Sequence, residues 1–144
     1  DALTARGLGH LPRLSFNLSH SEEQIAFAFS FSSPVGIDIE KIRENARSIH
    51  LVHRFFHPDE ELRFAHLPEW ESTQLFFRYW TIREAFLKGI GTGFTISADS
   101  FRIDEIDSDS DLYQLTKYPL WRVQALPAPD KYFCSVAYCV QNPL

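Results

Sequence analysis

Two period-two runs in immediate succession constrain this chain more than any other feature. In "IAFAFSFSSPVGIDIE", Ile25, Phe27, Phe29 and Phe31 recur at alternate positions, the chain turns at "SSP", and Val35, Ile37 and Ile39 resume the same period. Such alternation is the mark of a half-buried strand, and two such runs around a short turn predict a β-hairpin. Helix signals follow. In "HPDEELRFAHL", Pro58 comes just after a capping position, and Asp59, Glu60 and Glu61 occupy a first turn where carboxylates suit the helix dipole. A second helix is predicted over about residues 71–90, "ESTQLFFRYWTIREAFLKGI", with Leu75, Tyr79, Ile82 and Phe86 as its apolar stripe. Gly89, Gly91 and Gly93 should end it in a flexible loop. Strand-like runs near "FTISADSFRI", "LWRVQAL" and "YFCSVAYCV" suggest an antiparallel meander, with "DEIDSDSD" as a polar hairpin tip. The expected class is therefore α+β, an antiparallel sheet packed against a long helix.

At 144 residues the chain has room for one ordinary domain, and 13 Phe mark it as a protein packed around aromatics. The formal charge of -5 offers no basic field to a phosphate backbone, which argues against nucleic acid as a partner. Cys134 and Cys139 sit an odd number of positions apart in one strand-like run, on opposite faces and beyond disulfide reach. Reduced cysteines suit a cytoplasmic protein. No apolar run approaches the ~20 residues needed to span a bilayer, so no membrane role is expected. The sequence contains no Met, so Asp1 is not an initiator and a longer parent chain is expected.

Three clusters of polar residues can carry chemistry. "FNLSHS", residues 16–21, gathers an Asn, two Ser and a His where a strand would end; an ordinary solvated strand end accounts for them as they stand. In a strand, Asp38 and Glu40 share one face while Ile37 and Ile39 share the other. Two carboxylates ~6 to 7 Å apart along the backbone can converge on a hard cation, Mg²⁺ or Mn²⁺, or can simply line a wet strand edge. On the long helix, Trp80, Glu84 and Lys88 follow at i, i+4 and i+8 and share a stripe. Glu84 and Lys88 are also spaced as an everyday surface ion pair.

Taken together, "VGIDIE", "WTIREAFLKGIGTGF", "FNLSHS" and "RFFHPDE" resemble the ordered motifs of the phosphopantetheinyl transferase superfamily, from about Phe16 to Phe94. Its pattern is a Gly-(Ile/Val)-Asp-x-Glu strand followed by Trp-x-x-Lys-Glu-Ala-x-x-Lys. The resemblance, to the larger surfactin-synthetase type, implies transfer of the 4'-phosphopantetheine arm of coenzyme A to a serine of an acyl or peptidyl carrier protein. It implies that Asp38, Glu40 and Glu84 hold Mg²⁺, that Ser19, His20 and Arg83 bind coenzyme phosphates, and that Lys88 contacts a phosphate oxygen. Glu84 is then placed to take the serine proton and Lys88 to neutralise the leaving phosphate. Trp80, one turn from Glu84, reads as a packing residue against the sheet.

Two departures stand out. Arg83 replaces the family's Lys, exchanging a point charge for a planar fork. The segment "GHLPRLSFN" lacks the Gly-Lys-Pro element expected before the Phe-Asn strand. The resemblance thus implies one half of a pseudo-twofold fold: residues 1–34 as the tail of an N-terminal half, and 35–144 as the C-terminal half carrying the metal site. Completion by the missing half is expected, with homo-oligomerisation as the lesser route. A non-catalytic coenzyme A or carrier-binding module is the rival reading; a metal-dependent nuclease is disfavoured by net acidity. "KIRENAR" supplies Lys41, Arg43 and Arg47 as a local basic patch for an acidic carrier.

Overall fold

The computed structural model describes residues 13–44, 48–92 and 95–141. Strands β1 (Ser15–Ser21) and β2 (Gln24–Ser30) form a separate two-stranded sheet. Strands β3 (Val35–Lys41), β4 (Ile103–Asp107), β5 (Leu112–Leu115), β6 (Tyr118–Leu126) and β7 (Tyr132–Cys139) form a five-stranded antiparallel sheet in the order β3-β7-β6-β5-β4. Between β3 and β4 lie helices α1 (Ser48–Phe55), α2 (Pro58–Phe64) and α3 (Glu69–Ile90), the last crossing β3 and β7. The α+β class expected from the sequence is the one observed. No helix among the described residues is long and apolar enough to cross a membrane.

The expected hairpin of residues 25–39 is not formed. β2 pairs with β1, and β3 pairs with β7. Ala26 and Ala28, the small residues between the phenylalanines, let β2 lie flat over Val35, Ile37 and Ile39 instead of pairing edge to edge. Period two identifies a strand and its faces but not its partner. The large residues of the antiparallel β1–β2 hairpin, and Phe31 just after it, point the other way: Phe16, Leu18, Ile25, Phe27, Phe29 and Phe31 are 46–66% exposed.

α3 begins two residues earlier than the apolar stripe suggested, at Glu69 after Pro68, and ends at Ile90 with Gly91 in the left-handed region at φ 70°. That conformation costs glycine little, which is why the helix stops there. Gly89 stays inside the helix, contrary to expectation, and Gly93 lies outside the described residues. The helix is covered on more than its stripe, because the sheet packs on one side and α1 and the segment after the helix on the other. Phe86 is fully buried between Phe101 and Trp121, with ring centroids 5.1 and 5.4 Å away.

Two further differences have local causes. α1 was not anticipated, although buried Val52 and partly buried Phe55 share one face of it at i, i+3 spacing. The run "FTISADSFRI" is strand only from Ile103; residues 95–102 turn, with Ser100 N–H donating to the Ser97 carbonyl and Phe101 driven into the core. α2 starts as expected, with Pro58 in its first turn, and His57 as cap in a reciprocal box with Glu60.

Candidate active site

The site forms where α3 is seated directly on the edge strand β3. A Cβ on Gly36 would lie 2.0 Å from the Ala85 carbonyl oxygen and 2.4 Å from the Gly89 nitrogen, so only glycines permit this approach. Val35, Ile37 and Ile39 turn to the small apolar cluster under the hairpin. Gly36, Asp38 and Glu40 turn to the helix, where Glu84 and Lys88 face them.

Asp38 is the centre of the arrangement, with its side chain only 5% exposed. The Lys88 ammonium donates to Asp38 Oδ1 at 3.1 Å and to the Ile37 carbonyl at 2.9 Å. Ser19 Oγ, from β1, donates to the same Oδ1 at 2.9 Å. Asp38 Oδ2 is buried and has no hydrogen-bond partner. Burial pushes the Asp38 carboxyl above its ordinary range, and Lys88 and Ser19 pull it only partly back. Glu40 and Glu84, both half-buried, are raised too, first by burial and then by the Asp38 charge; a hydrogen bond from the Trp80 side chain offsets part of this at Glu40. The Asp38 charge raises both glutamates, and Glu40 also raises Glu84, so the negative field here suits a cation. Among the described residues, no three His, Cys, Asp or Glu side chains stand at metal-ligating spacing. The buried, unpartnered Asp38 oxygen is the feature that fits a hard cation, and all three donors are oxygen.

Beside these groups opens a cavity of about 780 Å³. Glu84 and Lys88 line one end, Trp80, Leu87, Phe55 and Ile96 supply an apolar wall, and exposed Arg54 stands at the rim. A cavity of about 810 Å³ at the far end of β3, lined by Ile42, Trp70, Lys131 and Tyr132, includes none of the three carboxylates.

The expected site residues divide into two groups. Asp38, Glu40, Glu84, Lys88 and Ser19 come together. Lys88 pairs with Asp38 and not with Glu84, so the everyday surface pair is not what forms. His20 is exposed on the opposite face of β1 from Ser19, across from Ile25. Arg83 does not reach the site at all, which corrects its assignment to a phosphate. It is fully buried, ion-paired to fully buried Glu60 on α2, and donates through Nε to the Ala98 carbonyl at 3.0 Å. Its guanidinium lies over the Phe56 ring at 4.4 Å. One residue before Glu84, it necessarily points elsewhere on the helix, since neighbours differ by about 100°. Trp80 is a packing residue as expected: its ring lies 5.4 and 5.9 Å from those of Phe55 and Phe76, and its side chain also hydrogen-bonds Glu40 on β3. In the basic patch, Lys41 sits over the Tyr132 ring, Arg43 pairs with Glu22 at 3.7 Å, and Arg47 lies outside the described residues.

Sequence reasoning missed Asn17 and Ser21. With Ser19 they accept the outward N–H groups of Ile37, Ile39 and Lys41 at 3.0, 3.2 and 3.1 Å, closing the free edge of β3. The signal was present in "FNLSHS" as polar residues at period two. Glu60 was also missed, because a carboxylate in a first turn reads as dipole complement.

A family model described as 4'-phosphopantetheinyl transferase superfamily matches residues 34–137. The 4'-phosphopantetheinyl transferase HetI of a Nostoc species is 33% identical over 127 residues, 86% of this chain and 51% of that protein. The 4'-phosphopantetheinyl transferase gsp of Aneurinibacillus migulanus is 38% identical over 104 residues, 72% of this chain and 43% of that protein. The chain thus spans about half, or less, of the length of these curated relatives. Among solved structures, the holo-acyl-carrier-protein synthase of Thermotoga maritima superposes with a TM-score of 0.59 at 17% identity, over 76% of this chain and 64% of that one. That of Bacillus anthracis, solved in complex with CoA (3',5'-ADP), gives 0.61 at 16% identity, over 74% and 94%. At such identities these two structures establish a shared fold.

Proposed function

Because this chain belongs to the 4'-phosphopantetheinyl transferase superfamily, we propose that its protein transfers 4'-phosphopantetheine from coenzyme A to a serine of an acyl or peptidyl carrier protein, using Mg²⁺ held by Asp38, Glu40 and Glu84. Mn²⁺ offers the same hard charge and would serve in its place. The observation that supports the reading is the buried, unpartnered Oδ2 of Asp38, within the field of Glu40, Glu84 and Lys88 and next to an apolar-walled cavity lined by Glu84 and Lys88.

The carrier serine oxygen bonds to the β-phosphorus of coenzyme A as the bond to the bridging oxygen breaks, releasing adenosine 3',5'-bisphosphate. Asp38, Glu40 and Glu84 would hold Mg²⁺, which would supply compensation for the negative charge of the diphosphate when bound. Glu84 takes the serine proton, directly or through an intervening water. Lys88, held at the mouth of the cavity by Ile37 and Asp38, presents positive charge to the departing phosphate. The apolar wall of Trp80, Leu87 and Ile96 suits the pantetheine arm. His20 faces the other side of β1 and would meet the coenzyme's 3'-phosphate only from there.

The site is completed by an N-terminal half of the fold, to which residues 1–34 belong, with 35–144 forming the C-terminal half. Two observations support this: the apolar outer face of the β1–β2 pair, and a match that spans only about half of the HetI relative. Pairing of two copies of this chain is the other outcome, and sedimentation of the full chain separates them. A carrier protein incubated with the full chain, coenzyme A and Mg²⁺ should gain the mass of one phosphopantetheine group, and Asp38→Asn should abolish the gain. Coenzyme A binding without any transfer would instead establish a non-catalytic binding module. A protein acting in this way works in the cytoplasm, where coenzyme A and carriers meet.

A further inference from the structure

The hairpin closes the free edge of β3 with three side chains, and one of them does something the other two do not. Asn17 and Ser21 each accept a single β3 N–H, from Ile37 and Lys41. Ser19 accepts the Ile39 N–H at 3.2 Å and in addition donates to Asp38 Oδ1 at 2.9 Å. A serine hydroxyl has one proton to give. In Ser19, 7% exposed, that proton is committed to Asp38.

Lys88 donates to the same carboxylate oxygen at 3.1 Å. Oδ1 therefore holds two donors and Oδ2 none, although both belong to a nearly buried side chain. A buried carboxylate oxygen without a partner is costly, and here the asymmetry has a definite cause. Ser19 approaches from the strand side and Lys88 from the helix side, and between them they fix the plane of the carboxylate.

We propose that Ser19 is a positioning residue for the metal site: it pins one oxygen of Asp38 so that the other alone is presented to the cation. This rests on the reading of Asp38, Glu40 and Glu84 as cation ligands. It reassigns Ser19 from a phosphate contact to an orienter of a ligand, in the way that outer partners of metal-bound carboxylates generally act. His20, on the other face of β1, is not part of this device.

The test is Mn²⁺ affinity of the full chain, read from the electron paramagnetic resonance of free Mn²⁺ during titration. Ser19→Ala should weaken binding by on the order of ten-fold or more, and Ser19→Thr, which keeps the hydroxyl, should restore most of it. Asn17→Ala and Ser21→Ala each remove an edge hydrogen bond of the same kind without touching Asp38, and should leave Mn²⁺ affinity unchanged. Circular dichroism melts on all four variants separate lost docking of the hairpin from lost positioning. Equal losses in the Ser19, Asn17 and Ser21 variants would overturn the proposal, since the hairpin as a whole would then be responsible. So would an unchanged Mn²⁺ affinity in Ser19→Ala accompanied by weaker binding of coenzyme A but not of its 3'-dephospho form, which would return Ser19 to the phosphate. If the unsubstituted chain binds no Mn²⁺, it is the metal reading beneath the proposal that fails.

Discussion

Replacing Arg83 with Met tests whether this motif residue serves the ligand or the fold. Arg83 and Glu60 are both fully buried, and their ion pair joins α3 to α2. Glu60 Oε1 also accepts the Ile103 N–H at 2.6 Å, while Arg83 donates to the carbonyls of Ala98 and Phe101. The pair thereby ties two helices to the segment that leads into β4. Met fills similar volume but leaves Glu60 charged and buried opposite an apolar chain. Breaking one side of a buried pair costs about 3–5 kcal/mol. For a chain of this size each kcal/mol moves the melting temperature by roughly 2–4 °C, so a fall on the order of 10 °C is expected by calorimetry. Adding Glu60→Gln to Arg83→Met should recover at least about 1 kcal/mol relative to the sum of the single changes, because the uncompensated charge is gone. The reasoning is refuted if Arg83→Met melts like the unsubstituted chain and shows only a raised KM for coenzyme A.

Gly36→Ala should cost about 1–3 kcal/mol, because the new methyl meets backbone atoms of Ala85 and Gly89 and the helix must back away; the same variant should bind Mn²⁺ more weakly, as Glu84 and Lys88 recede from Asp38. Glu84 binds its proton more tightly in the folded than in the unfolded chain, so its contribution to stability falls as pH rises from the ordinary value of 4.5 through the raised folded value. In chelator-treated buffer, Glu84→Gln should therefore melt above the unsubstituted chain at neutral pH and level with it below that ordinary value; a gap that is the same at both would count against the site's electrostatics. Burial pushes the Cys134 thiol up to about 11, so native protein treated with iodoacetamide near neutral pH should keep Cys134 unmodified by peptide mass mapping. Charge reversal at exposed Arg43 should slow association with an acidic carrier at low salt and matter less as salt rises; an unchanged carrier KM at low salt would place the docking surface elsewhere.

Local chemistry was readable wherever one residue and its near neighbours decide the outcome. Pro58 and the acidic turn after it marked the start of α2, the 3.6-residue stripe marked α3, and period two placed Asp38 and Glu40 on one face of β3. Fixed spacing put Asp38 and Glu40 on one face of the strand, and Glu84 and Lys88 on one stripe of the helix.

Partner choice was not readable, because hydrogen-bonding edges and apolar faces look alike in one dimension. The alternation of residues 25–39 says nothing about whether β2 pairs with β3 or lies over it, and only Ala26 and Ala28 resting on Ile37 and Ile39 settle that. Arg83 shows the same limit from the other side. Its charge suggested phosphate, yet its direction along the helix and the carboxylate of Glu60, 23 residues away in sequence, decided that it would be buried. The polar residues of "FNLSHS" are divided by the strand they lie on, with Asn17, Ser19 and Ser21 meeting the free edge of β3 and His20 facing outward. Sequence determined which groups could donate and accept; the crossing of α3 over an edge strand, possible because Gly36 and Gly89 have no side chains, determined which of them meet.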